Sequence, residues 1–229
     1  MDILRKSFTK LSLKGNVCVI DVETTGLPEK KSYNEYYNYK KLKYYDNSRV
    51  VQFSWSIFTS LGKVVKHEDF IIKRNNFTIS DESIEIHKIT NEISDEKGIE
   101  IEKVFAILEK DLKNVGVLVA HNFLFDSNII KSELYRYKFR KALKLFKKKL
   151  SYCTMNNGKK IVNIWKEGRY GEYLKYPKLS KLNKKLFEDD MICSHNSKYD
   201  VYYCARCYFK MINDIEIPTF AEMNKLCIH

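Results

Sequence analysis

The sequence predicts a single mixed α/β domain, and three features carry that prediction. Val17, Cys18, Val19 and Ile20 form a β-branched and small apolar run that reads as a buried strand. VGVLVAH, at 115 to 121, is a second near-continuous apolar run and reads as a buried strand of a parallel pair. Between them, Ile101, Val104, Phe105, Leu108 and Leu112 fall on one face of a helix spanning 99 to 113. Strands interleaved with helices in this order give a mixed sheet flanked by helices. The 229 residues suffice for one such domain with a real core and are too few for two large ones.

Taken in order, residues 1–15 are a basic lead-in and 16–22 the first strand. That strand ends in Asp21 and Glu23, followed at once by Thr24, Thr25 and Gly26. Alternation along a strand sends both carboxylates out of the same face. After Leu27 and Pro28 comes an insertion, 29–49, in which Tyr33, Tyr36, Tyr37, Tyr39, Tyr44 and Tyr45 are interleaved with lysines. Two readings stand: the tyrosines stack on bases while Lys30, Lys31, Lys40, Lys41 and Lys43 neutralise phosphates, or they pack on the domain flank. VVQFSWSIFT (50–59) and KVVKHEDFII (63–72) read as strands joined by a Ser60-Leu61-Gly62 turn.

A loop with a short helix at 82–88 leads to the helix at 99–113 and the strand at 115–121. A long helix is expected from about residue 126, capped by Asp126-Ser127. Its later part carries Arg136, Lys138, Arg140, Lys141, Lys144, Lys147, Lys148 and Lys149, a solvated face or a phosphate-tracking patch. Residues 150–155 read as a short edge strand. YPKLSKLNKKLFE reads as a helix with Leu179, Leu182 and Leu186 inward, and a last helix spans 198–213. Without repeats or a Pro/Gly linker, the chain resolves into one domain, 16–213, with a tail at 214–229.

Lys plus Arg number 41 against 29 for Asp plus Glu, a formal charge of +12. Such an excess favours a polyanionic partner, nucleic acid first and an anionic membrane surface second. No apolar run approaches the roughly 20 residues that span a bilayer. MDILRKSFTKLSLKGN lacks the apolar core of a secretory signal, and the six cysteines follow no disulfide framework. An intracellular setting, cytoplasmic or nuclear, is therefore expected.

Chemistry concentrates on the acids. Asp21 and Glu23 side by side are costly unless something cationic sits between them, and oxygen-only ligands suit Mg²⁺ or Mn²⁺. Asp126 lies just past the strand at 115–121, and ligands in α/β sheets bind outside the carboxyl ends of the strands. In SHNSKYD, His195 precedes Asp200 by five residues.

DVETTGL, HNFLFD and HNSKYD together resemble the three motifs of the DEDD superfamily of 3′→5′ exonucleases, histidine subgroup (DEDDh), whose third motif is H-x-x-x-x-D. Proteins of this kind include the proofreading subunit of bacterial replicative polymerases, ribonuclease T and oligoribonuclease. The similarity extends to RVVQFSW, IHKIT and YPKLSKLNKKLF, roughly residues 16–212. The resemblance implies a ribonuclease H-like mixed five-stranded sheet. It implies that Asp21, Glu23, Asp126 and Asp200 bind two divalent ions, Mg²⁺ or Mn²⁺, and that His195 is the general base. Asp21 would bridge both ions, Glu23 and Asp200 hold the water-side ion, and Asp126 the other. An imidazole ordinarily titrates near neutral pH, which suits taking a proton from the attacking water.

By the same resemblance, Thr24, Thr25, Gly26, Leu27, His87 and Asn122 line the terminal-nucleotide pocket. The product would be nucleoside 5′-monophosphates, from single-stranded or frayed DNA by preference over RNA. A non-catalytic binding subunit on the same fold is the rival, and loss of an acid would mark it; all four acids are present. A polymerase partner or a second copy is not readable. The sequence departs from the family at Lys88, where glycine is usual after the histidine, and at Ser197 and Lys198. Cys193-x-His195 with Cys204-x-x-Cys207 has the outline of a zinc site, but paired cysteines inside a helix suit packing better.

Overall fold

The computed structural model describes residues 15–33, 35–192 and 195–225. The basic lead-in up to residue 14, Cys193 and the end of the tail lie outside the described residues. Strand β1 (Asn16–Thr24) is followed by a small ribbon, β2 (Lys30–Ser32) and β3 (Glu35–Tyr36), then by β4 (Val50–Phe58) and β5 (Val64–Ile71). Helices α1 (Asp81–His87), α2 (Asn91–Lys97) and α3 (Ile101–Asp111) lead to β6 (Val115–Ala120). Then come α4 (Phe123–Arg136), α5 (Arg140–Lys148), β7 (Leu150–Cys153) and α6 (Thr154–Val162). A hairpin of β8 (Trp165–Gly168) and β9 (Gly171–Leu174) precedes α7 (Leu179–Phe187), α8 (Ser197–Asn213) and α9 (Phe220–Lys225).

The central sheet has five strands in the order β5–β4–β1–β6–β7. β1 pairs antiparallel with β4 and parallel with β6, and β6 runs parallel to β7. β1 is thus covered on both faces, which is why its sequence is continuously apolar rather than alternating. Cys18, Ile20 and Val22 pack with Phe105 and Leu108 of α3 and with Ile129 of α4. Val17 and Val19 point the other way, against Val201, Cys204 and Tyr208 of α8. Burying each such aliphatic side chain contributes about 1.5–3 kcal/mol, so the two layers fix the register of β1. The fold class is the expected mixed five-stranded sheet flanked by helices, in one domain.

The long helix expected from residue 126 is two helices. It starts three residues earlier, from an Asn122 cap with left-handed backbone (φ 77°), and stops at Arg136. Lys138 is left-handed (φ 61°), and the chain resumes as α5. The break lets Tyr137 and Phe139 turn in to meet Phe105 edge-on, at ring separations of 6.3 and 5.4 Å. Packing overrides helical propensity here. Cys204 and Cys207 are buried on the inner face of α8, where burial pushes the Cys207 thiol up to about 12. They are core thiols, as the helical spacing suggested.

In the insertion, Tyr37 stacks on Tyr44 at 3.6 Å, and the buried Tyr45 donates its hydroxyl to the Tyr37 carbonyl. Tyr39 meets Tyr135 of α4 edge-on, between Lys131 and Lys147, while Asp46 pairs with Arg136 at 2.7 Å. The segment lies along α4, and flank packing accounts for Tyr37, Tyr39, Tyr44 and Tyr45.

Candidate active site

The two-residue alternation that buries Val17 and Val19 against α8 continues to Asp21 and Glu23, which leave the sheet on the same side. Asp200, in the first turn of α8, meets them there. Ligand oxygens of Asp21, Glu23 and Asp200 lie within 4.8 Å of one another. Asp126 arrives from the opposite layer, in the first turn of α4, and accepts the Val22 N–H at 3.3 Å. Acids from both faces therefore converge at the carboxyl end of β1, next to that of β6.

This arrangement is electrostatically expensive. Burial, followed by the mutual repulsion of the carboxylates, holds Asp21 well above the usual range, and burial does the same for Asp126. Burial and then Asp200 push Glu23 up to about 8, and burial takes Asp200 to about 7 against the opposing His195 N–H. Among the described residues, no lysine or arginine forms an ion pair with any of the four. A donor set of clustered, oxygen-only, unpaired carboxylates fits a divalent cation.

His195 sits on the turn before α8 with left-handed backbone (φ 63°), exposed, and its N–H donates to Asp200 Oδ2 at 3.1 Å. The turn is anchored from the sheet. Buried Gln52, paired across β1–β4 with Glu23, accepts the Ser197 N–H at 3.3 Å and donates to Asn196 and to Asp69. Ser54 joins Asp69 and Ser197, at 2.6 and 2.5 Å. Sequence reasoning passed over this network. Its one signal was a string of polar residues, Gln52, Ser54 and Ser56, inside an otherwise apolar strand.

Of the expected pocket residues, Thr24, Thr25, Gly26 and His87 come together at the end of β1. Thr24 donates its hydroxyl to the Gly26 carbonyl at 2.7 Å; Thr25 donates its own to Asn47 and accepts the Arg49 N–H. A Cβ on Gly26 would sit 2.9 Å from the Asn47 carbonyl, so only glycine fits this approach. Leu27 is 74% exposed. His87 is buried beside the Thr24 backbone, its Nδ1 accepting the Ile89 N–H. Lys88, where the family favours glycine, is left-handed (φ 62°) and ends α1. Asn122 caps α4, four residues before Asp126. Tyr36, unforeseen as a site neighbour, lies close enough to Asp126 for that acid to raise its phenol pKa further after burial.

The model of the family described as "Exonuclease" (RNase_T) matches residues 18–208, and the chain belongs to this family of the DEDD superfamily. Membership of this family implies use of divalent metal, with which the Asp21–Glu23–Asp200 cluster is consistent. No curated protein sequence matches it. Among solved structures it is similar to E. coli Exonuclease I in complex with a dT13 oligonucleotide, at 16% identity and a TM-score of 0.62 over 86% of this chain and 41% of that one. The complex with dA16 gives 16% identity and 0.62 over 87% and 41%. A further Exonuclease I structure, described as suggesting how processivity is achieved, gives 18% and 0.64 over 86% and 41%. The chain spans about two fifths of the length of these neighbours. Among the described residues no helix is long and apolar enough to cross a membrane.

Proposed function

We propose that the chain is a 3′→5′ exonuclease of the histidine subgroup, releasing nucleoside 5′-monophosphates from single-stranded or frayed DNA. The observation that carries this reading is the convergence of Asp21, Glu23 and Asp200 within 4.8 Å, with Asp126 seated on Val22 beneath them and His195 tied to Asp200. Asp21, Glu23 and Asp200 would hold one Mg²⁺ or Mn²⁺, and Asp21 with Asp126 a second. When bound, the ions supply Lewis-acid charge that polarises the phosphodiester and offsets the charge growing on the leaving oxygen.

His195 then takes the proton of the attacking water, its exposure allowing it to reach substrate from outside the cluster. The backbone at Thr24, Thr25 and Gly26 lines the terminal nucleoside, and exposed Leu27 packs against its base. His87 and Asn122 contact the terminal nucleotides. The boundaries 16–213 enclose all of these residues.

The test is digestion of 5′- and 3′-labelled single-stranded DNA, duplex DNA and RNA with Mg²⁺, Mn²⁺ or chelator. Stepwise shortening from the 3′ end with monophosphate release is expected, fastest on single-stranded DNA. Internal cleavage, shortening from the 5′ end or metal-independent activity would overturn the reading.

A further inference from the structure

The hairpin β8–β9 stands out from the domain surface. Tyr170 at its tip is 94% exposed, and Trp165 and Tyr173 about half exposed. Lys166, Arg169 and Lys175 are exposed as well, and none of them forms an ion pair among the described residues. The two faces of the ribbon differ. The register pairs Trp165 with Leu174 and Glu167 with Glu172 on one face; Lys166 with Tyr173 and Gly168 with Gly171 lie on the other. The facing glutamates repel phosphates from the first face. The second offers a cation beside an aromatic ring and a floor of two glycines, with the Tyr173 ring lying across Gly168, 3.1 Å from where a Cβ would stand.

The base of the hairpin is tied to the edge that carries the acids. Lys175 N–H closes it on the Ile164 carbonyl, and two residues later the Pro177 carbonyl accepts from His121 Nε2 at 3.0 Å. His121 Nδ1 therefore accepts from the Thr154 hydroxyl at 2.9 Å, so the ring clamps the starts of α6 and α7 to the end of β6. Asn122 and then α4, with Asp126, follow directly.

We infer that the Lys166–Tyr173 face of this hairpin, with Arg169 and Tyr170 at its tip, is a docking surface for single-stranded nucleic acid, holding the strand by base stacking and phosphate contact upstream of the nucleotide in the acid cluster. Aromatic faces bind bases without regard to sequence, and interleaved cations track the backbone. The proposal rests on the nuclease reading for the identity of the strand. It also differs from the insertion at 29–49, where most tyrosines are occupied by packing.

The experiment measures anisotropy of a labelled oligothymidylate of about 20 nucleotides in chelator, where no hydrolysis occurs. Probes are this strand, an abasic strand of equal length and a dinucleotide; proteins are wild type, Tyr170→Ala with Tyr173→Ala, Lys166→Ala with Arg169→Ala, and Trp165→Ala. The tyrosine pair should weaken the long strand about tenfold or more and leave the abasic strand unchanged. The lysine–arginine pair should weaken both strands and reduce the salt dependence. Trp165→Ala, on the acidic face, should bind as wild type does, and dinucleotide hydrolysis with Mg²⁺ should be unaffected throughout. Equal affinity of wild type and tyrosine variant for the long strand, absence of binding by wild type, or an equal loss in Trp165→Ala would overturn the proposal. Binding that depends on the hairpin without any hydrolysis would sink the exonuclease reading instead and leave the docking surface standing.

Discussion

The backbone N–H of His195 donates to Oδ2 of Asp200 at 3.1 Å, closing a turn in which the histidine is left-handed and the aspartate is already helical. A backbone bond orients the carboxylate whatever side chain stands at 195. His195→Ala should therefore retain divalent-ion binding while losing about 10² or more in kcat, the usual scale for removing a general base. Asp200→Ala should lose both. Titration of Mg²⁺ by calorimetry alongside kcat separates the two; loss of ion binding in His195→Ala would assign that residue a structural role.

The acid cluster should make the metal-free protein sensitive to alkali. Glu23 at about 8 and Asp200 at about 7 sit above their unfolded values, so the folded state holds more protons than the unfolded one. Their contribution to stability is favourable in acid and is lost as pH rises from about 4 toward 8. In chelator, Asp200→Asn should raise Tm most at pH near 8, less near 5 and little near 3. Mg²⁺ should raise Tm of wild type far more than that of the variant. A variant melting below wild type at alkaline pH in chelator would contradict repulsion within the acid cluster.

Gln52 is buried, and it bridges three groups, accepting the Ser197 N–H and donating to Asn196 and Asp69. Gln52→Ala leaves the buried Ser197 N–H unsatisfied at about 1–3 kcal/mol, visible as a lower Tm. It also frees the turn that presents His195, so kcat should fall more than KM rises. Gln52→Glu keeps the acceptor for Ser197 but sets a carboxylate against Asp69, and should recover as pH is lowered. Unchanged kcat in both variants would confine the network to stability.

The sheet was legible because β1 and β6 are buried on both sides and so carry near-continuous apolar runs, while the run of β4 is interrupted only by Gln52, Ser54 and Ser56. The motif acids were legible because short spacings place them: Asp21 and Glu23 by strand alternation, Asp200 by its distance from His195. What sequence could not give was set by partners far along the chain. The break between α4 and α5 depends on Phe105 receiving Tyr137 and Phe139, and the packed state of Tyr37 and Tyr39 depends on rings at 44 and 135. The β8–β9 hairpin escaped notice because its strands are exposed and carry no core-facing alternation. Lys88 shows the converse: a departure visible in sequence acquires its meaning only from the left-handed backbone that ends α1.

Arg49 and Glu133 form the most buried ion pair described, Nε to Oε1 at 2.6 Å, with the Tyr137 hydroxyl oxygen accepting from the guanidinium at 2.9 Å and Phe77 beneath it. The pair matters for the site because the Arg49 backbone holds both ends of Thr25. Burial pushes the Glu133 carboxyl up in spite of Arg49, so desolvation outweighs attraction, and the pair is worth less than its geometry suggests. Breaking it is another matter. Arg49→Met leaves the fully buried carboxylate with only the longer Arg136 contact, at 3.6 Å, and should cost about 3–5 kcal/mol near neutral pH. Adding Glu133→Leu removes the stranded charge and should recover most of that loss. The deficit of the single variant should also shrink in acid, because its folded state then binds the Glu133 proton at higher pH than the unfolded chain does. Urea denaturation of wild type, single and double variants at pH 5 and 8 reads all three; a double variant no more stable than Arg49→Met would show that the guanidinium acts through Tyr137 and Phe77 rather than through Glu133.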